Sequence, residues 1–151
     1  MPNTREMTTD AMAVADALRP SLLRVTRELR REARKAGVSS EQIAILVSIK
    51  YAPGICAGDL ALGERVSPAA MSKLVTRLER DGLIERTPSE SDRRRVGLAL
   101  TAEGERTLRR VRSRRTAWLA SRLSELEPAE LAALAAAAEP LSRLLHTGEG
   151  R

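Results

Sequence analysis

The residues of this chain best equipped for chemistry are cations and hydroxyls. Arg93, Arg94 and Arg95 stand side by side, with Asp92 directly before them. Upstream, Ser72, Lys73, Thr76, Arg77 and Arg80 recur at alternating steps of one and three, a spacing that collects them on one helix face. Guanidinium and ammonium groups in such arrays bind phosphates, and short hydroxyl side chains reach base edges. Groups that make or break bonds are scarce. Cys56 is the only cysteine and His146 the only histidine, so the chain can build neither a thiolate zinc site nor a histidine relay. There is no nucleophile elbow, no glycine-rich phosphate loop and no metal-ligand cluster. The sequence predicts a binding protein that is not an enzyme and needs no cofactor.

Composition narrows the partner. The 151 residues carry 26 Lys+Arg against 20 Asp+Glu, a net charge of +6. The excess is spread along the chain: nine cations against six acids in residues 1–54, eight against seven in 55–100, nine against seven in 101–151. Net charge therefore says only that an acidic partner is favoured, and the location must come from placement. Tyr51 and Trp118 are the only aromatic residues, which disfavours a single-strand reader that stacks bases on aromatic rings. Duplex DNA remains. No apolar run approaches the ~18 residues of a membrane span, and MPNTREMTTD lacks the order of a secretory signal. The expected setting is cytoplasmic, without a membrane partner.

Helices and a hairpin must position these groups. Ser67 is a helix N-cap and Pro68 suits the first helical position. The helix that follows is expected to bury Met71, Leu74, Val75 and Leu78, to end at Gly82, and to expose Ala69, Ser72, Lys73, Thr76, Arg77 and Arg80. Leu60 and Ala61 mark a shorter helix before it, so the pair reads as a helix-turn-helix. Residues 83–87, which include Arg86, read as a strand ending at Pro88. Val96, Leu98 and Leu100 alternate in a second strand with one buried face. The hairpin is a wing with the arginine triplet at its tip, suited to a narrow minor groove. Asp92 is read as orienting one guanidinium through a bidentate pair.

The ends of the chain are helical. Ala15, Leu18, Leu22, Val25 and Leu29 recur at steps of three and four between Asp10 and Lys35. Pro20 predicts a kink, or a start of the helix near it. Ser39 and Gln42 form a capping box for a second helix with Ile43, Leu46, Val47 and Ile49 as its stripe, stopped at residues 52–54. Thr101 opens a helix running through Leu108, Val111, Trp118, Leu119, Leu123 and Leu126. Pro128 opens the last, with Leu131, Leu134, Ala138, Leu141 and Leu145 in line and Pro140 within. A centre of ~50 residues is too small to cover all these faces, so the end helices are predicted to interlock with those of a second chain. The six arginines between Arg106 and Arg115 are read as a solvated face. Trp118 is read as core, and Cys56 as a small, partly buried residue rather than a redox switch.

These motifs together resemble the MarR family of bacterial transcriptional regulators. The matching residues are Leu60-Ala61, Val66-Ser67-Pro68, the run from Leu78 to Arg86, Asp92-Arg93-Arg94, and the run from Leu100 to Gly104. The resemblance covers roughly residues 18–146 and is most specific over 58–104. It implies a mainly α protomer of six helices with a small β-hairpin wing. Its divisions would be a dimerisation helix at 10–36, a winged helix-turn-helix at 37–101 and dimerisation helices at 102–146. It implies a homodimer that acts as a repressor on a pseudo-palindromic operator, with a small anionic or phenolic effector between the dimer helices and the winged domain. Ser67 through Arg80 would read bases, and the family's Asp-x-Arg wing motif falls on Asp92 and Arg94. One position departs: the family often has glycine just before the Val-Ser of the turn, and here Arg65 stands. If that position requires positive φ, Arg65 is strained.

Overall fold

The computed structural model describes residues 4–88 and 94–146. Six helices and three short strands follow in the order α1 (Thr4–Lys35), α2 (Ser40–Tyr51), β1 (Ile55–Cys56), α3 (Ala57–Gly63), α4 (Pro68–Arg80), β2 (Ile84–Pro88), β3 (Val96–Leu100), α5 (Ala102–Leu123) and α6 (Pro128–His146). The chain forms two compact units, residues 1–115 and 116–151.

The first unit holds the core. Ile45, Leu46 and Ile49 of α2, Leu60 of α3, Met71, Val75 and Leu78 of α4, and Leu98 of β3 are almost fully buried together. α1 enters this core only near its end, through Ala33 and the buried Glu32; α5 enters only at its start, through Thr107, Leu108 and Val111. The predicted capping box is present. The Ser39 hydroxyl accepts from the Gln42 amide at 3.1 Å, and the Ser39 amide donates to Gln42 Oε1 at 2.9 Å.

The sheet is antiparallel in the order β1-β3-β2, with Ile55 opposite Leu98 and Arg86 also opposite Leu98 on the other side. β1 is too short to show periodicity, which is why it escapes a reading of the sequence. Gly97 lets it pair: a Cβ at this position would lie 2.6 Å from the Gly54 carbonyl oxygen.

Several expectations need correction. α1 begins at Thr4 and runs through Pro20 to Lys35, so the helix does not start near Pro20; the missing donor costs a single hydrogen bond along 32 residues. In α2, Ile45 is buried and Val47 is 37% exposed, because the helix packs on more than one side and its stripe is ambiguous. Leu74 is only half-buried: it packs against the edge of the core and also lines a cavity. Val96 is exposed at the outer end of β3, where the sheet outruns the helices that cover it. α5 ends at Leu123, so Leu126 lies in the turn before α6. Trp118 lies outside the core cluster, half-buried, with the Arg122 guanidinium 5.9 Å from its ring centre.

Candidate nucleic-acid interface

α4 presents the candidate reading surface. Its start is fixed by the Ser67 hydroxyl, which accepts from the Ala70 amide at 3.1 Å, and by Pro68 in the first turn. Met71, Val75 and Leu78 anchor the opposite face, so the exposed side has one orientation. Ser67, Pro68, Ala69, Ser72, Lys73, Thr76 and Arg77 are all exposed. Ser72, Lys73, Thr76, Arg77 and Arg80 line one shallow groove along the helix. The surface is small and hydroxyl-bearing near its start and cationic further along. Such an arrangement allows close approach to base edges and contact with flanking phosphates.

The base of the wing is braced from three sides. Thr101 donates its hydroxyl to the Gly82 carbonyl at 2.5 Å and accepts from the Gly104 amide at 3.0 Å, so one side chain joins the end of α4 to the first turn of α5. Arg86 of β2 donates Nε to both carboxylate oxygens of Glu79, at 3.0 and 3.2 Å. Arg95 lies 3.6 Å from Asp59 of α3. Both arginines are expected to face DNA; each pairs with an acid of the same unit while its side chain stays 49% exposed. Spacing could not show this, because Glu79 and Asp59 approach only through the fold. Arg94 is exposed. Asp92 and Arg93 lie outside the described residues, and with them the Asp92–Arg94 pairing.

The arginines of α5 are mostly solvated, and four of them find partners within the chain. Arg106 and Arg110 both approach Glu103, at 2.9 and 3.6 Å, and hold its carboxyl below the usual range, the Arg106 hydrogen bond being the main cause. Arg114 reaches Glu32 at 3.3 Å, and Arg115 donates Nε to the Leu29 carbonyl at 3.1 Å. Glu32 is pulled down chiefly by its hydrogen bond with Lys35, at 2.5 Å, against a smaller upward push from burial. Cys56 is buried and precedes α3 without a side-chain cap, in keeping with a packing role. Among the described residues no cluster of His, Cys, Asp or Glu could hold a metal ion, and no helix is long and apolar enough to cross a membrane.

A cavity of about 450 Å³ opens between the end of α1, the start of α2 and α4. Its polar wall joins Arg30, Arg34, Ser39 and Ser40 to the acids Glu41 and Glu64, and Ile45 and Met71 belong to its apolar wall. A second groove brings Arg34 together with Arg77 of α4.

Known proteins agree with this architecture. The family model described as MarR family matches residues 38–96. The HTH-type transcriptional repressor MdtR of Bacillus subtilis is 31% identical over 126 residues, covering 83% of this chain and 81% of that one. The crystal structure of a putative transcriptional regulator from Pseudomonas aeruginosa superposes with a TM-score of 0.75 at 32% identity, covering 95% of this chain and 98% of that one. A point variant of S. aureus MepR, solved bound to an oligodeoxyribonucleotide, shares the fold with a TM-score of 0.67 at 21% identity over 89% of this chain and 96% of that one. The chain belongs to the MarR family of transcriptional regulators, a DNA-binding family.

Proposed function

We propose that this regulator is a repressor that binds a pseudo-palindromic operator as a homodimer. Each α4 enters the major groove, and each wing places an arginine in the flanking minor groove. The observation that carries this reading is the exposed face of α4. Five polar or cationic side chains line one groove there, and no acid stands among them. Ser67, Pro68, Ala69, Ser72, Lys73, Thr76 and Arg77 are assigned to the major groove, with Asp92, Arg93, Arg94 and Arg95 at the wing. Arg86 keeps a supporting role through Glu79.

The dimer is supported by apolar side chains that one chain leaves wet: Leu18, Leu22 and Leu23 on α1, Leu131, Leu134 and Leu145 on α6. The repressor role draws on MdtR, which is named as one. The cavity beside Arg30 and Arg34 suits a small anionic or phenolic effector. Two guanidinium groups supply positive charge at one side, opposed by Glu41 and Glu64, and Ala44, Ile45, Val66, Met71 and Leu74 make up the apolar part of the wall.

A mobility shift on random duplex over a salt series tests the central reading. A steep fall of affinity with salt is expected, and no binding at low salt would sink it. Footprinting on the chain's own upstream region should show two half-sites about 10 bp apart, whereas one isolated half-site would overturn the dimeric mode.

A further inference from the structure

We propose that Arg65, in the turn between α3 and α4, is a phosphate contact of the DNA interface. The inference rests on α4 being the base-reading helix. Arg65 has φ 54, and it is the single non-glycine residue with positive φ among those described; Gly37, Gly54 and Gly82 are the others. The turn demands this conformation. After the α3 C-cap at Glu64, the Arg65 amide bonds to the Leu62 carbonyl at 3.3 Å and the Val66 amide to the Ala61 carbonyl at 3.1 Å. That pair of bonds is a Schellman closure, whose central residue must be left-handed and is usually glycine. A side chain here costs free energy that glycine would not.

The structure offers no internal use for that side chain. Arg65 is exposed and forms no ion pair with any described residue. The turn is held by its neighbours: Ser48 donates its hydroxyl to Glu64 Oε1 at 2.5 Å, and Val66 packs against the core. Strain that packing and pairing do not account for points to function. Arg65 stands two residues before Ser67, so its Cα lies within about 7 Å of the α4 cap. With that cap inside a major groove about 12 Å wide, a residue at its margin stands beside a phosphate ridge. The left-handed turn carries a long cation out to that ridge, where it contributes affinity without sequence preference.

Three full-length variants test this: R65G removes strain and charge, R65K keeps both, and R109Q removes one exposed charge from α5. R65G should raise the unfolding midpoint by about 2–4 °C. It should also weaken operator and random duplex together by roughly 3–10-fold, with a log–log salt slope shallower by about one. R65K should keep the wild-type slope, and R109Q should leave slope and affinity unchanged. Unaltered DNA binding by R65G overturns the proposal. So does an equal loss in R109Q, which would mean diffuse steering, or a loss in R65K, which would put the effect in the turn. A fall in both stability and affinity of R65G makes Arg65 a structural residue and overturns it as well. If wild type binds no duplex at low salt, the DNA-binding reading fails and the proposal with it; wild type that binds no better than R65G sinks the proposal alone.

Discussion

Arginines that look equivalent in one dimension have separate fates. Arg86 pairs with Glu79 and Arg95 approaches Asp59, whereas Arg77 faces outward from α4 beside Thr76 and Lys73. Arg77→Ala should therefore cost about 1–3 kcal/mol of operator binding, measured by mobility shift at fixed salt, with unfolding unchanged. A loss confined to stability would remove Arg77 from the interface. At the wing, charge and orientation make opposite predictions for Asp92→Ala. Loss of an acid should tighten DNA binding, whereas loss of an orienting partner for Arg94 should weaken it. Weaker binding is expected, and it should vanish in the Arg94→Ala background because the two residues then act as one unit. Tighter binding with dimerisation intact would leave Asp92 as a turn residue.

Between elements, single polar side chains do the joining. Thr101 caps α5 and also fastens Gly82, so the wing strands leave the reading helix at a set point. Thr101→Val keeps the volume and removes both bonds. It should cost about 1–2 kcal/mol in denaturant unfolding, on the scale of a lost cap. An unchanged midpoint would show that the clamp is ornamental. Glu32, paired with Lys35 on its own helix, joins α1 to α5 through Arg114, and its carboxyl is held below the ordinary range, chiefly by the Lys35 hydrogen bond. A lowered folded-state pKa means that the stabilisation is present above the unfolded value, ~4.3, and disappears as pH falls through the lowered one. Glu32→Gln should accordingly be less stable than wild type at neutral pH and converge with it in acid. Parallel pH profiles that never converge would contradict the linkage.

At the scale of the molecule, the outer helices leave rows of apolar side chains in water. Leu22 is 44% exposed and Leu134 49%. Covering such faces with a second copy couples folding to association. Leu22→Glu should shift sedimentation at micromolar concentration from dimer to monomer. Operator affinity should fall much further than affinity for random duplex, because two half-sites could no longer be gripped at once. A stable wild-type monomer at that concentration would refute the dimer outright.

The amino-acid sequence by itself determined the order of the helices, their starts at Ser39, Ser67 and Pro128, the exposed polar face of α4 and the family. These features depend on neighbours within four residues, where capping chemistry and helical period act directly. Arg65's strain was also legible, since the turn's need for positive φ is local. Tertiary structure alone decided which cations pair with which acids. Glu79 meets Arg86, Asp59 meets Arg95, Glu32 meets Arg114 and Ser48 meets Glu64 only when separate segments fold together. It also decided β1, two residues long, whose pairing with β3 depends on the space left by Gly97. Local rules carry a helix and its caps; an ion pair between segments distant in sequence depends on the distance the fold sets, and no period in the sequence encodes that distance.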